Sequence, residues 1–221
     1  MVPPVFTLPE LGFQQVRFDL IVPENLNRME GRFTEGQVFG TPYWVTELRY
    51  GHLEPLPYGK ADAFVRRVTT RGGVFRACDI FRSRPIEHDD GNGTPLSGTR
   101  AGGGAFDGTA TLQSITNSRT VVVSGLPPLF QFREGDYAEF RRSANVVALH
   151  SLEADARASS SGVVTLSLDP AYDAQNFPVS GTTVNFEKAS CLMKIEPGSY
   201  SGQKSQQDRS PSFSAAEMFF S

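Results

Sequence analysis

Ser159-Ser-Ser-Gly162 is a turn signal, and the run that follows it to Leu168 is rich in β-branched and aliphatic residues. The same alternation of turn and short run fills the second half of the chain. Strands are predicted at Gly108 to Gln113, Thr120 to Ser124, Asp136 to Phe140, Val146 to Leu152, Gly162 to Leu168, Thr182 to Glu187 and Leu192 to Ile195. Gly125-Leu-Pro-Pro128, Glu134-Gly-Asp136 and Ser180-Gly181 separate them. Strands repeating at roughly 8–12 residues with turn chemistry between them indicate a sandwich or barrel. The expected fold class is therefore mainly β, built of β-sandwich or β-barrel modules.

Working outward, Gln15 to Val22 alternates Val16, Phe18 and Leu20 with Arg17 and Asp19, the period of a strand with one wet face. Pro23 breaks it, and Asn25 to Arg32 is polar enough to predict a turn or short helix. Tyr43 to Tyr50 is a second strand, with Trp44, Leu48 and Tyr50 on one side and Tyr43, Val45 and Arg49 on the other. One short α-helix is expected near residues 60–70, where Ala61, Phe64, Val65 and Val68 recur at helical spacing. Gly72-Gly73 supplies its left-handed end. Trp44 and Phe64 are the candidate core anchors of this half. The expected layout is a β-rich part with one helix over residues 1–87, a flexible glycine-rich loop over 88–105, a sandwich or barrel over 106–197, and a C-terminal arm over 198–221.

The arm has linker composition until it closes on Phe213, Met218, Phe219 and Phe220. Such an end either folds back onto its own sheet or docks on a neighbouring subunit, and these four residues are the candidate subunit-contact set. On the second alternative, removing Gly198–Ser221 leaves the fold intact and weakens assembly.

The chain has 221 residues and a net charge of -3. That charge argues against binding nucleic acid by phosphate neutralisation. Cys78 and Cys191 are the only cysteines and carry no paired spacing. The N-terminal stretch lacks a basic leader region, and no apolar run reaches the ~20 residues of a membrane helix. A soluble protein is expected, with no membrane partner.

The search for chemistry is mostly negative. No nucleophile elbow is visible, and His52, His88 and His150 have no ligand-spaced partners. Glu87-His-Asp-Asp90 has metal-ligand residue types but not the alternating donors of a calcium loop, so a solvated acidic turn is expected. Gly102-Gly-Gly104 lacks the lysine and helix of a phosphate cradle. No catalytic, cofactor or metal residues are assigned, and no enzyme is expected. Phenylalanine is abundant at 17 and tryptophan scarce at 1, which suits core and subunit contacts better than sugar-binding faces.

Trp44-Val-Thr-Glu-Leu-Arg-Tyr50, Lys60-Ala-Asp-Ala-Phe64, Arg71-Gly-Gly73 and a strand ending in Arg84-Pro85 follow in an order that resembles tail proteins of tailed bacteriophages. Glu134-Gly-Asp136, Leu152-Glu-Ala-Asp155, Ser161-Gly-Val-Val-Thr-Leu166, Asp169-Pro170, Gly181-Thr-Thr-Val184 and Cys191-Leu-Met193 extend the resemblance over roughly residues 40–196. The chain is similar to the distal tail, or tail-tip, proteins of long-tailed phages. The cysteine set of the iron–sulfur tail-tip proteins is missing. The resemblance implies a structural virion protein of the tail tip, assembled in the host cytoplasm. It implies a ring, typically sixfold, of β-rich subunits linking the tail tube protein to the baseplate hub protein, with the tape-measure protein as a further neighbour. It brings no catalytic residues. The rival expectations are a carbohydrate-binding adhesion module and a neck or tail-completion protein.

Overall fold

The structure is a computed structural model, and it describes residues 3–28, 30–31, 34–203, 205 and 209–219. In chain order the strands are β1 (Val5–Phe6), β2 (Phe13–Ile21), β3 (Glu24–Arg28), β4 (Thr34–Val38) and β5 (Tyr43–Tyr50). Helix α1 (Pro55–Thr70) follows, then β6 (Val74–Ala77) and two short 3-10 turns, Ile80–Arg82 and Ile86–His88. The remainder is β7 (Thr109–Asn117), β8 (Thr120–Ser124), β9 (Gln131–Phe132), β10 (Tyr137–Arg141), β11 (Val147–Leu152), β12 (Ala156–Arg157), β13 (Val163–Asp169), β14 (Thr183–Asn185), β15 (Cys191–Ile195) and β16 (Ser212–Glu217). The protein is mainly β with one α-helix.

The chain forms two compact units. One comprises Met1–Thr7, Val74–Leu192 and Met218–Ser221; the other comprises Leu8–Gly73 and Met193–Glu217. The division departs from the one the sequence suggests. It falls at Gly73 and Leu192, and residues 88–105 lie inside the first unit. That loop is tied down: Leu96 is buried and its N–H donates to Glu187 Oε2 at 2.9 Å, and Thr99 bridges Ala105. Composition marks this segment as loop, but a composition shift does not locate where contacts thin out.

The first unit is built on a closed antiparallel barrel in the order β10-β11-β13-β8-β7-β14. Its interior is filled by side chains, among them Leu112, Val123, Phe140, Leu166 and Val184, as expected of a barrel this narrow. Phe132 and Phe186 meet at 4.7 Å in the same core. Val74, Val147 and Leu192 form a smaller cluster, against which Val5 and Met218 pack.

The second unit carries a sheet in the order β15-β16-β5-β2, antiparallel throughout. The alternation in β5 is as its sequence predicts: Trp44, Thr46, Leu48 and Tyr50 are buried and the intervening residues are not. Helix α1 begins five residues before the expected start. Pro55 and Pro57 occupy its first turn, where a missing N–H costs nothing. Its buried stripe is Tyr58, Ala61, Phe64, Val65 and Val68. Gly72 takes φ of 58°, and the Gly73 N–H returns to the Val68 carbonyl at 2.9 Å.

Phe213 is the clear departure. It is 1% exposed on β16, with its ring 6.3 Å from Phe64 and 6.4 Å from Tyr50. It is a core residue of its own subunit, because β16 pairs on both sides and its alternate residues must point into the helix-covered face. Met218 packs on its own chain, Phe219 is 51% exposed, and Phe220 lies outside the described residues. Trp44 and Phe64 are both buried. Trp44→Ala is expected to lower the stability of this unit by about 3 kcal/mol, the lower end for such a truncation, because its stacking partner Phe18 is half-exposed and the site can rewet. Denaturant unfolding measures it; a loss below about 1 kcal/mol would contradict a packed indole.

Candidate assembly surfaces

Within the stretch Asn25 to Arg32, whose polarity suggests a turn or short helix, residues 25–28 are strand and residues 30–31 form a turn. Residues 24–28 and 34–38 pair as an antiparallel ribbon, with registers Glu24↔Val38, Leu26↔Gly36 and Arg28↔Thr34 alternating with Asn25↔Gln37 and Asn27↔Glu35. The ribbon continues the β2–β5 pair, joined through the Phe39 N–H donating to the Pro23 carbonyl at 3.0 Å. A break separates the two at Pro23 and Gly40, where a Cβ on Gly40 would come within 3.1 Å of the proline ring.

Cross-strand partners share a face. One face of the ribbon therefore carries Asn25, Gln37, Asn27 and Glu35, all polar. The other carries Leu26 and Val38 together with Glu24, Arg28 and Thr34, and Gly36 is small enough for Leu26 to lie across it; a Cβ there would sit 3.2 Å from Leu26 Cδ2. Every residue of both strands is exposed. Phe39, at the base, is 70% exposed, and Val22, which precedes its hydrogen-bond partner Pro23, is exposed as well. A lone two-stranded hairpin is marginal in water, and a face of this kind gains stability only when something covers it. No sequence rule singles the ribbon out, because the alternation is carried by only two apolar residues.

The motifs with chemical residue types do not converge. In the acidic turn, Glu87 pairs with Arg133, and His88 lies 3.8 Å over Phe130 with Nε2 3.1 Å from the Gln131 carbonyl. Asp89 accepts from the Gly91 N–H, and Asp90 accepts from the Asn92 N–H and the Thr94 hydroxyl. Those bonds hold Asp90 below the usual carboxylate range. Among the described residues no group of three or more His, Cys, Asp or Glu side chains could hold a metal ion. The Gly102–Gly104 turn spends its polar groups on itself: the Gly103 N–H donates to the Arg100 carbonyl, and the Gly104 carbonyl accepts from the Arg100 N–H. Cys78 is half-buried and Cys191 buried, and neither forms a disulfide. Among the described residues no helix is long and apolar enough to cross a membrane.

The buried ionisable groups hold the scaffold. Arg84 forks onto both oxygens of Glu187. His150 donates from Nδ1 to the Pro170 carbonyl at 2.8 Å, and burial pushes its pKa down to about 4, so the ring is neutral. Glu139 is fully buried on β10 and gathers Arg76, Arg141 and Ser190. Sequence gave no warning of it, since a Glu in an alternating run reads as a wet position.

Glu217, at the end of β16, accepts from the Trp44 N–H at 3.0 Å through Oε2, while Oε1 is buried without a hydrogen-bond partner. Burial pushes its pKa up to about 7 from the ordinary 4.5. The native state thus holds this proton more tightly than the unfolded chain. The stability due to Glu217 falls as pH rises from about 4.5 to about 7, by about 3 kcal/mol across the window. Glu217→Gln is expected to remove that fall. Unfolding midpoints of both chains across the window measure it, and parallel curves would contradict the burial.

A scan against protein-family models finds no match to this chain, and a search of curated proteins finds none.

Proposed function

We propose that this chain is a structural virion protein of a long-tailed phage, a distal tail or baseplate ring protein that works by closing on copies of itself. The partners are other copies in a ring, the tail tube protein above, the hub protein below and the tape-measure protein nearby. The order of short motifs along residues 40–196 suggests the family. The observation that carries self-assembly is the projecting ribbon: five paired residues on each strand, all exposed, with only polar groups on one side and Leu26 and Val38 displayed among Glu24, Arg28 and Thr34 on the other. A monomer gains nothing from displaying that face, whereas a neighbour that covers it removes apolar surface from water.

A face on one subunit that meets a different face on the next generates a ring when the rotation closes. Two observations test the role. Negative-stain images of the purified chain are expected to show closed rings of one size. Gold-labelled antibody on tailed particles carrying the protein is expected to mark the tail end distal to the head. Label at the head–tail junction, or none on the particle, would contradict it.

A further inference from the structure

The outward face of α1 stands apart in charge. Lys60, Arg66, Arg67 and Arg71 are exposed on it, in a chain whose net charge is -3. A shallow groove of about 530 Å³ runs along this face, bordered by Asp62, Ala63, Arg66, Arg67, Thr70 and Arg71. Asp62 is engaged, paired with Arg66 at 2.8 Å and accepting from the Tyr200 hydroxyl at 3.1 Å. Leu56, 73% exposed, lies one turn before Lys60 and gives the basic face an apolar end.

The first unit presents the opposite character. Its two 3-10 turns expose Ile80, Phe81 and Ile86, with Phe81 at 72%. Asp79, Asp89 and Asp90 flank these residues in sequence, while Glu87 is paired with Arg133. The cation between them, Arg84, is buried on Glu187, and Arg82 is turned to the Gly135 carbonyl.

We infer that the basic groove of α1 on one copy receives the Phe81–Asp90 segment of a second copy. The inference rests on the self-assembly proposed above and names a contact for it. Charge complementarity selects the occupant: the basic face of α1 meets the segment where carboxylates flank Phe81, the most exposed aromatic ring among the described residues of its unit. The area requirement points the same way. A stable assembly removes about 800 Å² from each partner. The ribbon, about 17 Å long, offers too little alone, so a second contact is required. The two surfaces differ, so the contact is of a kind that repeats head-to-tail around a ring.

Charge reversal on the full chain tests it. Arg66→Glu with Arg71→Glu, and separately Asp89→Lys with Asp90→Lys, are each expected to weaken self-association about tenfold or more, since like charges set face to face oppose docking. Light scattering reads the assembly state, and far-UV circular dichroism confirms that each chain is folded. Equimolar mixing of the two variants is expected to restore assembly, because the reversed faces complement each other. Phe81→Ser, which leaves the charges in place, is expected to weaken assembly as well. A wild-type chain that assembles while both reversals assemble equally well overturns this contact and leaves the ring proposal standing. A wild-type chain that never assembles overturns both. Variants that fail singly and are not rescued by mixing overturn the pairing. Duplex DNA held by the wild-type chain and lost in Arg66→Glu/Arg71→Glu, with assembly unchanged, assigns the groove to phosphate and overturns it too.

Discussion

A chain lacking residues 198–221 is expected to lose the folded state of its second unit. The sequence presents this stretch as a detachable arm, but β16 lies between β15 and β5 and hydrogen-bonds to both. Its loss would open both ladders at once and strip Phe213 and Ala215 from a core that contains Leu48, Tyr50 and Phe64. Further anchors go with it: the Tyr50 N–H donates to the Pro211 carbonyl, the Leu53 N–H to the Arg209 carbonyl, and the Tyr58 hydroxyl to the Gly202 carbonyl. Phe213→Ala alone is expected to cost about 3–5 kcal/mol, and the added loss of two hydrogen-bonded ladders brings the total into the range of the 5–15 kcal/mol that holds an ordinary domain together. Trp44 is the single tryptophan and belongs to this unit, so its fluorescence reports on it alone. Truncation is expected to shift its emission to that of a solvated indole. A native, blue emission from the shortened chain would contradict an interior β16.

Glu139→Ala is expected to destabilise the barrel unit by about 3 kcal/mol, the lower end for breaking a buried ion pair from one side, because the two arginines it leaves are part-exposed. Glu139 is 0% exposed. Its Oε2 accepts from the Ser190 N–H at 3.0 Å and the Ser190 hydroxyl at 2.8 Å, and its Oε1 accepts from Arg141 Nε at 2.6 Å. Arg76 Nη1 sits 3.5 Å from Oε1, an ion pair longer than a hydrogen bond, and that nitrogen is buried without a hydrogen-bond partner. Burial and the neighbouring Arg141 already pull the Arg76 pKa down, and Glu139 opposes them. Without the carboxylate, two part-exposed guanidinium groups of like charge and the Ser190 donors lose their shared acceptor. Glu139→Gln keeps the shape and one acceptor and is expected to fall between the wild type and the alanine variant. Denaturant midpoints of the three chains decide it; a loss under about 1 kcal/mol for Glu139→Ala would mean that water reaches the cluster.

What the sequence made legible follows from which positions burial controls. β5 and β8 were readable to the residue, because alternate side chains of a half-buried strand must be apolar. The barrel strands were found within a few residues for the same reason. β16 escaped because Ser212-Phe-Ser-Ala-Ala-Glu217 pairs small residues with one large one, and the polar segment before it reads as a linker. The ribbon escaped because an exposed strand has no burial constraint to write an alternation. α1 was read late because Pro55 and Pro57 look like breakers, although both are tolerated in a first turn. The basic groove and the Phe81 segment are separated in sequence by a strand, and nothing local links them. Their common meaning lies in charge sign and exposure, which only the folded chain displays.

Sedimentation velocity on the full-length chain, over a concentration series, tests most directly whether this polypeptide is made to bind itself. The account predicts one closed oligomer that dissociates on dilution and that Leu26→Asp with Val38→Asp, on the ribbon face that displays both, converts to a folded monomer. A monomer at every concentration, or an oligomer indifferent to those two substitutions, would contradict it.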